Sequence, residues 1–152
     1  MNGKIFYVIK IIFIHIIGYV LCVLQAYISM YEYKENLSSV CPRCSYIEDI
    51  LTSSLFFYLF FLLAYFLFFF FVRFLLNAKK IKKNYNIISF TVIYIITCFT
   101  VNHEIFISRV TSWSTFTTME ELIGTVQESY IAILITTIIF YYSNKFLLNY
   151  EK

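Results

Sequence analysis

The run LFFYLFFLLAYFLFFFFV, Leu55 to Val72, decides the architecture. It carries no charge, and a helix of about 20 apolar residues is what crosses a hydrocarbon core of about 30 Å. Outward from it the composition agrees. Of 152 residues 61% are hydrophobic, 22% aromatic and only 14% charged, with 3 Gly and 1 Pro. A soluble domain is nearer ~45–50% apolar, so the chain reads as an all-α integral membrane protein. Once several spans are set aside, no length remains for a second domain, and residues 1–152 form a single four-helix membrane domain.

Long apolar windows with few charges place four transmembrane helices at about 11–31, 50–72, 87–101 and 130–148. No small-x-small cleavage site follows the first run around Tyr27 to Met30, so it is kept as a mature span rather than a signal peptide. The connections are then outer loops at 32–49 and 102–129 and a basic loop at 73–86. Lys and Arg near span ends stay on the cytoplasmic side, whereas acids contribute little. Nine of the twelve basic residues lie at the N-terminus, in the 73–86 loop or at the C-terminus. Both termini are accordingly expected in the cytoplasm, and the acidic loops outside.

Helix start signals sit in both outer loops. Ser45-Tyr-Ile-Glu48 has capping-box spacing, and Thr118-Met-Glu-Glu121 offers another. After the second, Met119, Leu122, Ile123 and Val126 recur at helical spacing, so a short helix is expected to lead into the fourth span. Ile105, Phe106 and Trp113 suggest that the earlier half of that loop lies on the membrane surface. The second span is apolar on every side, which is the signature of a lipid-facing helix; an aromatic oligomer interface is the functional alternative. Small residues for close helix packing are scarce there.

Polar chemistry is confined to a few places. Cys41-Pro-Arg-Cys44 precedes a helix, and both the helix N-terminus and Arg43 favour thiolate, the attacking species in disulfide exchange. On an outward face the pair is expected to tighten the short loop at the helix entry, as a disulfide or as a free pair. Structural zinc wants four ligands from paired motifs, and only one CxxC exists even with His103 added, so no metal site is expected. Cys22 and Cys98 read as small apolar side chains, a bridge between them being conceivable. His15, Gln25, Thr97, Thr136 and Thr137 read as helix-to-helix hydrogen-bonding groups. With no acid inside any span, a proton pump or cation transporter is poorly supported. Asn36-Leu-Ser38 matches a glycosylation acceptor pattern. Lys79, Lys80, Lys82 and Lys83 form the strongest electrostatic feature. They suit topological retention and anionic lipid, or the docking of an acidic cytosolic partner.

In position, Cys41 and Cys44 resemble the pair of the disulfide bond formation protein B (DsbB) family, four-span oxidases with a CxxC at the outer end of span two. That resemblance implies a membrane thiol oxidoreductase with Cys41 and Cys44 as catalytic residues and quinone as cofactor. It extends no further: the second outer loop lacks the second cysteine pair, and SYIED after Cys44 lacks the family's arginine. In topology, from IIFIHIIGYV through NAKKIKKN to NYEK, the chain resembles the four-span membrane component of two-gene antiphage defence systems of the Kiwa type. The Kiwa-type resemblance implies a homo-oligomer in a bacterial inner membrane, a soluble partner docked at Lys79 to Lys83, and phage-related events sensed outside or in the bilayer. The favoured expectation is a non-enzymatic membrane anchor or sensor without a cofactor or direct nucleic-acid contact. A toxin-immunity protein or an accessory subunit of a membrane complex is a further alternative, since neither needs a motif.

Overall fold

The computed structural model describes the backbone of residues 3–75, 83–110 and 115–149, and the side chains of 9–67, 87–110 and 115–148. Four α-helices account for nearly all of it: α1 Gly3–Ser29, α2 Tyr46–Leu75, α3 Lys83–Arg109 and α4 Thr118–Asn149, with a single 3-10 turn at Tyr31–Tyr33. No strand occurs among the described residues. All four helices are long and apolar enough to cross a membrane, so the chain is a multi-pass membrane protein.

The helices overrun the apolar windows. At 1.5 Å per residue, α3 and α4, of 27 and 32 residues, are about 40 and 48 Å long. The polar ends continue the helical hydrogen bonding because caps close them. At α2, the Ser45 N–H and hydroxyl both donate to Glu48 Oε2, at 2.7 and 2.9 Å, and the Glu48 N–H returns a bond to Ser45 Oγ. At α4 the box sits one residue earlier than the sequence suggested. The N-cap is Thr117, whose N–H and hydroxyl reach Glu120 Oε2 at 2.7 and 2.8 Å. Thr-x-x-Glu occurs in two adjacent registers, and the earlier one leaves Glu121 inside the helix, its N–H bonded to Thr117 O. The stretch expected to lie on the surface is largely helix, because Ile105 and Phe106 turn into the bundle and are buried; Trp113 lies outside the described residues.

Side-chain contacts fix an up-down-up-down order. Tyr46 of α2 bonds the Tyr27 carbonyl of α1 at 2.8 Å, while His15 meets Tyr58 further down. Asn102 of α3 bonds Gln25 of α1 at 2.8 Å and Phe90 packs on His15, so α1 and α3 run parallel. His103 pairs with Thr125 of α4 and Tyr94 stacks on Phe140 at 4.4 Å. The start of α1, the end of α2, the start of α3 and the end of α4 therefore share one end of the bundle.

In α1 the inward stripe is Ile14, Gly18, Cys22 and Ala26, with Ile12, Ile16, Val20 and Leu24 turned out. Gly18 is required by contact: a Cβ there would overlap the Tyr58 hydroxyl and approach Phe140 Cε2 to 2.8 Å. Exposed apolar side chains cover the outside of all four helices, as a protein solvated by lipid demands. Several hydroxyls in the spans are satisfied locally. Thr91, Thr97, Thr100, Thr136 and Ser143 each donate to the carbonyl four residues back.

Candidate functional site

The loop between α1 and α2 holds the CxxC. The Cys44 N–H bonds the Cys41 carbonyl at 3.0 Å, closing a tight turn, and the Cys41 N–H bonds Ser38 Oγ at 3.2 Å. Within that turn Cys41 and Cys44 are joined by a disulfide, Cα to Cα 5.3 Å. Both sulfur-bearing residues are partly exposed, and Pro42 and Arg43 between them are exposed. The bond thus faces solvent at the mouth of α2, one residue before the Ser45 cap.

What fixes this loop to the bundle is Arg109, the last residue of α3. It is 2% exposed. Its Nη2 lies 2.6 Å from Asp49 Oδ2, and Nε donates to the same oxygen at 2.9 Å. Nη1 reaches the carbonyls of Lys34 and Asn36, at 3.3 and 2.5 Å. The guanidinium also sits over the Tyr46 ring, 5.2 Å from its centroid. The traffic is reciprocal: Asn36 Nδ2 donates to the Arg109 carbonyl at 3.0 Å, and the Ser39 N–H to the Ser108 carbonyl at 2.8 Å. A planar fork with five donors is what such a multi-acceptor site needs. Asn36 and Ser38 of the glycosylation-like triplet are consequently built into this latch, Ser38 being 1% exposed.

A second tie lies beside it. Tyr33 donates to Glu128 Oε1 of α4 at 3.2 Å and packs edge-on against Phe106. Burial, and then the neighbouring Glu128 carboxylate, push the Tyr33 phenol up to about 12.

Inside the bundle the polar side chains stack along one seam. The Cys22 and Cys98 thiols neighbour each other, and both residues are free cysteines fully buried between α1 and α3. One turn towards the α1–α2 loop is the Gln25–Asn102 pair. Towards the other end, His15 Nδ1 lies 3.3 Å from the Tyr58 hydroxyl in the wall of a cavity of about 10 Å3 that Tyr94 and Thr97 also line. That is room for about one water. Gln25 Nε2, Asn102 Oδ1, His15 Nε2 and both side-chain polar atoms of Asn144 are buried with no partner among the described residues.

Of the residues singled out from the sequence, Cys41 and Cys44 come together, as do Cys22 and Cys98. His103 does not join the cysteines; it bonds Thr125 and stacks on Phe99. No cluster of three or more His, Cys, Asp or Glu side chains occurs among the described residues. Lys79, Lys80 and Lys82 lie outside the described residues, and of Lys83 only the backbone is described, as the first residue of α3. Arg109 and Asp49 were missed as a pair, since from the sequence they are two loop charges among many. The available signal was an Arg and an Asp, each adjacent to a span end, in a chain with few charges.

No protein-family model, no curated protein and no solved structure matches the chain.

Proposed function

We propose that this protein is a non-enzymatic membrane anchor subunit of a bacterial plasma membrane, with both termini and the Lys79–Lys83 run in the cytoplasm and a soluble partner held at that run. The observation that carries it is the segregation of charge along an up-down bundle. The end that gathers the α1 start, the α2–α3 connection and the α4 end holds nine of the twelve basic residues. Positive charge of that kind is retained inside. At the opposite end Arg109 pairs with Asp49, Glu48 and Glu120 close helix caps and Glu128 accepts from Tyr33, which braces the α1–α2 loop. A role in antiphage defence, sensing events at the outer loops, is the context the four-span, Lys-rich organisation favours.

The test is a gentle-detergent pull-down of the tagged protein from its native host, with mass spectrometry of partners. A stoichiometric soluble protein is expected, lost when Lys79, Lys80, Lys82 and Lys83 are all changed to Gln and retained when Cys41 and Cys44 are changed to Ser. If no soluble protein co-purifies, or if the fourfold variant retains it fully, the anchor assignment fails.

One observation favours a second reading. The Cys41–Cys44 disulfide is partly exposed directly before a helix N-terminus, where an attacking thiolate can reach it and the leaving thiolate is favoured. A thiol oxidoreductase working through this bond, with a membrane quinone to reoxidise it, should yield a mixed disulfide through Cys41 or Cys44 on thiol trapping of the same sample. An immunity protein should instead protect cells from one toxin without any soluble partner.

A further inference from the structure

Two polar atoms in the middle of the bundle converge on one small space. His15 Nε2 and the Tyr94 hydroxyl are both buried with no hydrogen-bond partner among the described residues. Their side chains line the same cavity of about 10 Å3, together with Tyr58 and Thr97. Tyr94 and Thr97 are each 1% exposed. Thr136 and Cys98 lie beside the Tyr94 hydroxyl, but the Thr136 hydrogen is held by the Ala132 carbonyl at 2.8 Å and a thiol is a weak partner. Lipid offers no hydrogen bond, so orphans at this depth are repaired only from within the bundle.

The hydrogen-bonding valences around the cavity can be assigned. A neutral imidazole carries one N–H, so one ring nitrogen donates and the other accepts. His15 Nδ1 lies 3.3 Å from the Tyr58 hydroxyl, which has no other hydrogen-bond partner among the described residues. Were Nδ1 the donor, the Tyr58 hydrogen would be stranded. Tyr58 therefore donates to Nδ1, and the ring proton sits on Nε2. On the α3 side, Thr97 gives its hydrogen to the Ile93 carbonyl at 2.8 Å, so its Oγ1 can only accept from the cavity.

We propose that this cavity binds one structural water, held by three groups: His15 Nε2–H, Thr97 Oγ1 and the Tyr94 hydroxyl. The water oxygen accepts from Nε2–H, one water hydrogen goes to Thr97 Oγ1, and the Tyr94 hydroxyl, which both donates and accepts, takes a remaining place. Three bonds is the usual complement of a buried water, and the volume admits about one. An N–H turned into the cavity suits a water oxygen and repels a cation. The water links α1 to α3, while Tyr58 of α2 holds the ring from behind and Phe140 of α4, stacked on Tyr94 at 4.4 Å, closes the wall. All four helices meet around it, whatever the protein holds at its cytoplasmic face.

The test is solid-state NMR of the full chain in lipid bilayers at neutral pH, with the histidine ring nitrogens labelled and His103→Gln used to assign the two histidines. The expected spectrum has the His15 proton on Nε2, a bare Nδ1, and magnetisation transfer from water to the Nε2 proton. A proton on Nδ1 instead, or an Nε2 proton that receives nothing from water, would overturn the site; the second outcome means a dry cavity. Tyr94→Phe combined with Thr97→Val keeps the shape and removes two of the three partners. Water transfer should then fall several-fold, while the Nε2–H tautomer, fixed by Tyr58, persists and shows that the packing around His15 is intact. Undiminished transfer with the tautomer intact would equally overturn the assignment. The parent spectrum decides by itself, so the test stands even where the double variant does not fold.

Discussion

Removing Arg109 should release the α1–α2 loop from the bundle. Its guanidinium is the shared ligand of the Asp49 carboxylate and of two loop carbonyls, at 2% exposure, and the Asp49 side chain is only 11% exposed. Breaking a buried ion pair from one side costs about 3–5 kcal/mol, because the remaining charge is left desolvated and alone. Arg109→Ala also strips the Lys34 and Asn36 carbonyls of their donor, so the upper half of that range is expected. At 1.36 kcal/mol per decade, the closed loop is then disfavoured by roughly three to four orders of magnitude.

Amide exchange reads this directly. The Ser39 N–H is held by the Ser108 carbonyl across the latch, so in detergent its protection should fall by those decades in Arg109→Ala. The Gln25–Asn102 pair in the membrane interior gives the control. Arg109→Lys should recover only a part, since an ammonium cannot span Asp49 and both carbonyls. Replacing the pair together, Arg109→Met with Asp49→Leu, should restore much of the stability lost in the single variant, as an apolar pair leaves no charge stranded. A Ser39 exchange rate in Arg109→Ala within tenfold of the parent would refute the latch.

Other outcomes follow from the packing and the caps. Gly18→Ala would drive a methyl into the Tyr58 hydroxyl and Phe140, an overpacking worth about 1–3 kcal/mol; a lowered thermal midpoint in detergent is expected, and Tyr58→Phe in the same chain should relieve part of it. Thr117→Ala should lower that midpoint by the equivalent of about 1 kcal/mol, whereas Thr118→Ala should be near neutral; the reverse order would place the cap at the wrong threonine. Tyr33 has its folded pKa raised to about 12 from an ordinary 10, so the neutral phenol is favoured in the folded state. Its contribution is fully present below pH 10 and is lost as the pH climbs towards 12. The alkaline difference spectrum of the parent minus Tyr33→Phe should show a phenolate appearing late, and an ordinary midpoint near 10 would contradict the Glu128 contact.

How much of this was legible in the residues differs by element. The four helices were, because a run such as Leu55 to Val72 has only one soluble-or-membrane solution, and Ser45 with Glu48 marked the start of α2 to the residue. The end of α3 was not. Asn102 to Arg109 reads as hydrophilic, and hydrophilic residues next to a span look like loop until tertiary contacts are known: Asn102 has a buried partner in Gln25, and Ile105 and Phe106 face inward. The latch was illegible for the same reason. Its partners come from 60 to 75 residues away along the chain, and no local period records that Lys34 and Asn36 will offer carbonyls to one guanidinium. The register of the α4 cap failed on a smaller scale, since Thr117 and Thr118 are each followed three residues later by a glutamate.

The same loop carries two ties of different kinds, and their magnitudes separate structure from chemistry. The Cys41–Cys44 bond closes a ring across a sequence separation of 3. Cross-linking so short a loop removes little disorder from the unfolded chain, and the loop-entropy relation gives about 2 kcal/mol. The Arg109 latch was put at about 3–5 kcal/mol. Changing both cysteines to Ser should therefore leave the Ser39 amide protected, with less loss than Arg109→Ala, because the guanidinium still holds the Lys34 and Asn36 carbonyls on the near side of the ring. A cell phenotype from the cysteine pair alone, with Ser39 protection kept, would then have to come from the reactivity of the bond and not from the shape of the loop. If instead the cysteine variant opened Ser39 as fully as Arg109→Ala does, the disulfide would be the principal brace and the hierarchy of the two ties would be the wrong way round.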